Sequence, residues 1–118
     1  MAQEKWKQIE GYSLYQISNT GKIRTCRRGR GKVEWYELKL RTNHKTNYIY
    51  AGLYDKDTNR KWFRVHRLVY HHFKGCIPDT LIVDHIDDNK QNNNISNLQL
   101  LTISENLKKY HRNKKANI

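Results

Sequence analysis

The 118 residues carry 23 Lys and Arg against 11 Asp and Glu, a net charge of +12, with a mean hydropathy of −1.02. Such a length allows one compact domain, or two small modules sharing a thin core that leans on 8 Tyr, 3 Trp and 2 Phe. The charge calls for a polyanion, nucleic acid rather than anionic membrane, because no apolar run approaches about 18 residues and no basic amphipathic helix dominates.

The first half reads as short strands. Tyr12 to Ile17 alternates, Ser18-Asn19-Thr20-Gly21 is turn chemistry, and Lys22 to Thr25 returns as a hairpin partner. Arg27-Arg28-Gly29-Arg30-Gly31-Lys32 reads as a basic, glycine-containing loop. Trp35 to Leu40, Tyr48 to Tyr54 and Lys61 to Val65 read as further strands, with a turn over Asp55 to Asn59. Together they predict a small antiparallel sheet. From His66 to Phe73, Leu68, Val69 and Phe73 recur at helical spacing, and Gly75 and Pro78 end that helix. Leu81-Ile82-Val83 is a short strand running into Asp84-His85, Asp87 to Asn94 is loop, and Leu98, Leu100 and Leu101 mark a second strand. Thr102 or Ser104 caps a last helix through Asn106 toward Tyr110, with a basic tail beyond it. The final unit is therefore strand, loop, strand, helix.

Cys26 and Cys76 lie 50 residues apart without a CxxC partner, so no disulfide framework and no structural zinc is expected. The first residues, Met1 to Trp6, lack the apolar core of a signal peptide, which places the expected site of action in the cytoplasm. Charge is also segregated. Residues 1–74 hold 17 basic and 6 acidic residues, a net of +11; residues 75–107 hold one basic and five acidic, a net of −4; and residues 108–118 add +5. Carboxylates repel phosphate, and a divalent cation bridging the two resolves that conflict.

The acidic island contains the chemistry. Asp84-His85 closes a strand, Asn97 follows 12 residues after His85, and Asn106 nine later on the last helix. Phosphodiester hydrolysis needs a base and a cation; histidine is the natural base near neutral pH, and a carboxylate with an amide oxygen suits a hard cation. Val83-Asp84-His85-Ile86-Asp87, Asn92-Asn93, Ser96-Asn97-Leu98, Thr102 and Glu105-Asn106 together resemble the HNH nuclease motif of phage and intron-encoded homing endonucleases. Val65 to Val69 with Phe73-Lys74-Gly75 resembles the helix leading into it. Trp6 to Tyr12 with Tyr15 to Arg24 is similar to the NUMOD4-type module found beside such domains.

The resemblance covers about residues 5–107. It implies an α+β protein, with an N-terminal antiparallel sheet (1–64) packed on a ββα-metal, His-Me finger unit (65–110) and a basic tail (111–118). It implies His85 as general base, Asp84 and Asn106 as ligands of Mg²⁺ or Mn²⁺, and Asn97 as the residue that braces the loop and orients the histidine. Double-stranded DNA would be the substrate, cut to 5′-phosphate and 3′-hydroxyl ends in a bacterial host, by a monomer that nicks or a homodimer that cuts both strands. Neither the four-cysteine zinc staple nor the C-terminal helix-turn-helix of some relatives is expected here.

Arg24, Arg27, Arg28, Arg30, Lys32, Lys108 and Lys109 are the expected DNA-binding residues. His66 fits a helix cap, a phosphate contact or, better, a packed role. His71-His72 are adjacent on a helix and should not face one point, one buried and the other exposed. Trp6, Trp35 and Trp62 are assigned to the core rather than to base stacking. The rival readings are a non-catalytic DNA-binding protein, against which retention of Asp84, His85, Asn97 and Asn106 argues, and a structure-specific or RNA nuclease.

Overall fold

The computed structural model describes residues 3–29 and 31–116, and side chains throughout these except at 27–29 and 113–116. A four-stranded antiparallel meander comes first: β1 (Trp6–Ile9), β2 (Tyr12–Ser18), β3 (Ile23–Gly29) and β4 (Lys32–Glu37). A second, three-stranded sheet follows, from β5 (Arg41–Thr42), β6 (Ile49–Tyr54) and β7 (Arg60–Arg64). Helix α1 (Val65–Phe73) leads to the hairpin of β8 (Leu81–His85) and β9 (Leu98–Thr102), and α2 (Ile103–Ala116) closes the chain. The protein is α+β, with a terminal ββα unit.

Several boundaries differ from those read in the sequence. The supposed basic loop at Arg27 to Lys32 is the end of a hairpin: Arg27 pairs with Glu34, Arg28 with Val33 and Gly29 with Lys32. Gly31, at φ +77°, supplies the left-handed turn that a bulkier residue resists. Glycines and charges look like loop in one dimension, yet here cross-strand pairing supports extended backbone. Strand β4 stops at Glu37 rather than Leu40, and Val65 begins the helix instead of ending a strand. The antiparallel strands form two sheets, not one. Helix α2 continues past Tyr110 to Ala116.

One cluster of buried side chains joins these parts: Ile9, Tyr15, Ile17 and Ile23 of the first sheet, Ala51 and Leu53 of the second, Val65 and Val69 of α1, and Val83 and Leu98 of the last hairpin. Tyr15 also ties sheet to sheet, its hydroxyl accepting from the Tyr54 N–H at 3.2 Å. The three tryptophans are not in this core. Trp35 and Trp62 are 38% and 43% exposed and Trp6 is half-buried. Guanidinium groups cover their rings instead, Arg24 lying 4.2 Å from the centre of Trp6 and 5.1 Å from that of Trp35. The radius of gyration is 16.1 Å, above the roughly 13–14 Å of a compact chain this long, and the long dimension is 59 Å. Strand β4, exposed along its length, belongs to an outstanding hairpin. No helix among the described residues is long and apolar enough to cross a membrane.

Candidate active site

The β8–β9 hairpin puts two adjacent residues to different uses. Side chains alternate along a strand, so Val83 and His85 turn into the core while Asp84 turns toward α2. Their partners across the hairpin are Leu98 for His85 and Gln99 for Asp84. Helix α2 is set by a capping box: the Glu105 N–H donates to Thr102 Oγ1 (3.0 Å) and the Thr102 N–H to Glu105 Oε1 (2.9 Å). Hydrogen bonds from the Thr102 backbone and side chain hold the Glu105 carboxyl below its ordinary range. Asn106 follows at once, in the first turn. A cleft of about 390 Å³ opens between hairpin and helix, lined by Asp84, His85, Asp88, Asn106 and Lys109, with Tyr48 and Lys90 at its side.

His85 is buried, and its Nε2–H donates to Asn93 Oδ1 at 2.7 Å. An amide oxygen only accepts, so Nε2 carries a proton, and in the neutral ring the lone pair lies on Nδ1. Nδ1 is the ring nitrogen that Asn93 leaves for the cleft, which His85 lines. The residue fixing the tautomer is Asn93, not Asn97. Asn97 instead ties the loop together: its Nδ2 donates to Asp87 Oδ1 (2.8 Å) and the Asn92 carbonyl (2.9 Å), and its Oδ1 accepts from the Asp87 N–H (3.1 Å). Hydrogen bonds from the Asn92 side chain, the Asn89 backbone and the Asn97 side chain hold the Asp87 carboxyl below its ordinary range.

Behind His85 lies His66, 4.8 Å between ring centres, and behind that Tyr48, stacked at 5.0 Å and 9°. His66 is packed and neither caps the helix nor reaches the surface: burial, then His85 and the neighbouring cationic side chains, push its pKa down to about 3.

The cleft has the donor set of a hard-cation site. Asp84 Oδ2, Asp88 Oδ1 and the His85 carbonyl converge on one positive centre, Lys109 Nζ, at 2.6, 2.8 and 2.7 Å. Asn106 lines the same cleft. These are all oxygen donors, the chemistry that suits Mg²⁺ or Mn²⁺. A group of imidazoles and a carboxylate lies elsewhere: Glu10, His71 and His72 have ligand atoms within 4.8 Å of one another. Contrary to the sequence reading, both histidines are half-buried and both meet Glu10. His71 Nε2 lies 2.7 Å from Glu10 Oε2, and His72 Nε2 accepts the Glu10 N–H (3.0 Å) while its Nδ1–H donates to the Leu68 carbonyl (2.8 Å).

Of the residues expected on DNA, Lys32 and Lys108 are exposed. The Arg24 guanidinium is held between Trp6 and Trp35 and donates to Gln16 Oε1 (2.7 Å). Lys109 is turned into the cleft. The side chains of Arg27 and Arg28, and Arg30 as a whole, lie outside the described residues. Sequence reasoning missed a different basic face, the outer side of the second sheet. Cross-strand pairing puts Arg41 and Arg64 beside Tyr50, Arg60 beside Tyr54 and Trp62 beside Gly52. Arg60 and Arg41 lie 4.8 and 5.4 Å from the Trp62 ring centre, and Arg64 lies 5.1 Å from that of Tyr48. Period-two alternation of Arg60, Trp62 and Arg64 in β7, and of Tyr50 and Tyr54 in β6, was the available signal.

The chain is similar to known proteins over most of its length. Residues 63–108 match the model for HNH endonucleases, and residues 4–54 that for the NUMOD4 motif. The DNA endonuclease I-HmuI of Bacillus phage SP01 is 39% identical over 99 residues, which are 83% of this chain and 52% of that protein. An uncharacterized HNH endonuclease, L245, of Acanthamoeba polyphaga mimivirus is 39% identical over 95 residues, 80% of this chain and 26% of that one. The solved structure of I-HmuI, described as showing DNA binding and cleavage by an HNH homing endonuclease, superimposes with a TM-score of 0.78 at 35% identity, covering 93% of this chain and 59% of that one. The chain thus spans about half, or less, of the length of these relatives. It carries a NUMOD4 motif joined to an HNH endonuclease domain, on a fold shared with a phage homing enzyme to which it is homologous.

Proposed function

We propose that this chain is a divalent-metal-dependent endonuclease that hydrolyses phosphodiester bonds of double-stranded DNA. The observation that carries the reading is the cleft itself, where a tautomer-fixed histidine lies beside a set of oxygen donors already gathered around a positive charge. His85 Nδ1 takes the proton from an attacking water. Asn93 keeps the ring oriented and its other nitrogen protonated, so the lone pair stays where the water must be. Asp84 and Asn106 would hold Mg²⁺ or Mn²⁺, which when bound supplies charge stabilisation at the phosphate and the leaving oxygen. Asn97 and Asp87 keep the connecting loop closed behind the histidine. The Arg and aromatic face of the second sheet, joined to the cleft through Tyr48, offers a path for the DNA backbone. One site cuts one strand, so a monomer nicks and a double-strand break needs two copies.

Incubation of supercoiled plasmid with the full chain and Mg²⁺ should yield open circles, with none when EDTA is present. His85→Ala should cut about 10²–10⁴-fold more slowly while retaining its affinity in a gel shift. Binding without any Mg²⁺-dependent cutting would support a non-catalytic DNA-binding protein instead.

A further inference from the structure

The ammonium of Lys109 lies where negative charge is densest. Besides its three oxygen partners, it shares Asp84 Oδ2 with Gln99, whose Nε2–H donates at 2.9 Å. The side chains of Lys109 and Asp84 are only 15% and 11% exposed, so this ion pair is sheltered from solvent. Its placement follows from the helix. Lys109 is three residues beyond Asn106, hence on the same face of α2, and the capping box at Thr102 and Glu105 fixes the turn from which both project.

Two carboxylates that share a site without a cation repel each other, and Lys109 removes that cost for Asp84 and Asp88. The same contact obstructs any other cation. Asp84 Oδ2 already receives two donors, so a divalent ion reaches that oxygen only after the ammonium withdraws. Lysine is suited to withdraw, being a compact charge on a flexible stem and not a planar fork locked in two directions.

We propose that Lys109 is the resident counter-cation of this site: it neutralises Asp84 and Asp88 in the metal-free chain, and a divalent cation binds by displacing it. The inference rests on reading Asp84 as a metal ligand. It assigns Lys109 to the metal threshold of the enzyme rather than to the general grip on DNA. Competition lowers the apparent affinity for the divalent ion and keeps the carboxylates in place until the ion arrives.

The test is Mn²⁺ binding to the full chain without DNA, followed through the paramagnetic resonance signal of free Mn²⁺, together with thermal unfolding. Lys109→Met and Lys109→Gln should each bind Mn²⁺ about tenfold more tightly or better, because the competing positive charge is gone. They should also melt lower than the parent without divalent ions, and gain more from added Mn²⁺. Asp84→Asn should abolish binding. If neither Lys109 variant binds Mn²⁺ more tightly than the parent while Asp84→Asn still loses it, the resident cation is overturned and the metal-site reading stands. Mn²⁺ binding that survives Asp84→Asn overturns both.

Discussion

His66 shows how a single residue can be forced to stay neutral. It stacks between Tyr48 and His85 inside the protein, where burial penalises the imidazolium and a second imidazole and nearby cationic side chains add to the penalty. Its pKa, about 3 in the folded chain, lies below the ordinary 6.5. The unfolded chain therefore takes a proton that the folded chain refuses. This contribution to stability is complete above about pH 6.5 and is lost as pH falls toward 3, by up to about 1.4 kcal/mol per unit. Asp87 and Glu105, whose carboxyls are held low, act in the same direction but only near and below their ordinary range. Urea unfolding between pH 5 and 7 should give a rising stability that His66→Phe largely flattens; an equal slope in the variant would show that other groups carry the dependence. The packed role of His66 was legible in one dimension, but its partners were not. Neither Tyr48, 18 residues upstream, nor His85, 19 downstream, announces itself as a stacking partner. The same limit hid Asn93: an asparagine run reads as turn chemistry, and only the folded loop aims one of its members at His85.

At the scale of elements, the alternating strands β2 and β6, the helix α1 and the ββα unit were legible because hydrophobic periodicity and capping residues are local signals. The β3–β4 hairpin was not, since its end, the run of Arg, Gly and Lys between Cys26 and Val33, lacks the apolar alternation of a strand. Nor was the way in which the first sheet supports the nuclease unit. The β2–β3 turn docks on the Asn93 loop: the Ile95 N–H donates to the Asn19 carbonyl at 2.8 Å. Gly21 sits against Asn93 so closely that a Cβ would lie 2.8 Å from the Asn93 Cβ, and its φ of +97° already disfavours any side chain. Asn93 in turn holds His85. Gly21→Ala should therefore destabilise the fold by about 1–3 kcal/mol and also slow single-turnover cleavage well below the melting temperature. Gly11→Ala is the matched control, because φ there is +81° but nothing lies within 4 Å of the added methyl. It should share the loss of stability and keep the rate. Equal cleavage rates for the two variants would show that the turn is a scaffold without influence on the histidine.

For the whole molecule, the question is where +12 of charge meets DNA. Sequence alone pointed to Arg27, Arg28 and Arg30, because three arginines among glycines stand out. The folded chain adds a competitor that composition cannot reveal, since Arg41, Arg60 and Arg64 are scattered in sequence and come together only when β5, β6 and β7 pair. Among the described residues none of these three forms an ion pair with a carboxylate, so their charge remains available to phosphate. Their guanidinium groups rest on Trp62, Tyr54 and Tyr48, which limits the side-chain entropy given up on binding. Arg64 and Lys90 both lie over Tyr48, at the side of the cleft, so this face leads to the candidate catalytic residues. Replacing Arg41, Arg60 and Arg64 together by Gln should weaken duplex binding and reduce the slope of log K against log salt by about 0.9 for each phosphate left without its cation. The corresponding triple change at Arg27, Arg28 and Arg30 should have a smaller effect on both, since no described residue of β3 or β4 lines the cleft. Cleavage at saturating DNA should change little in either variant, because His85, Asn93 and the oxygen donors are untouched. Equilibrium binding of both triple variants across a salt series decides the matter: a parental slope in the first and a flattened one in the second would place the grip on the β3–β4 hairpin.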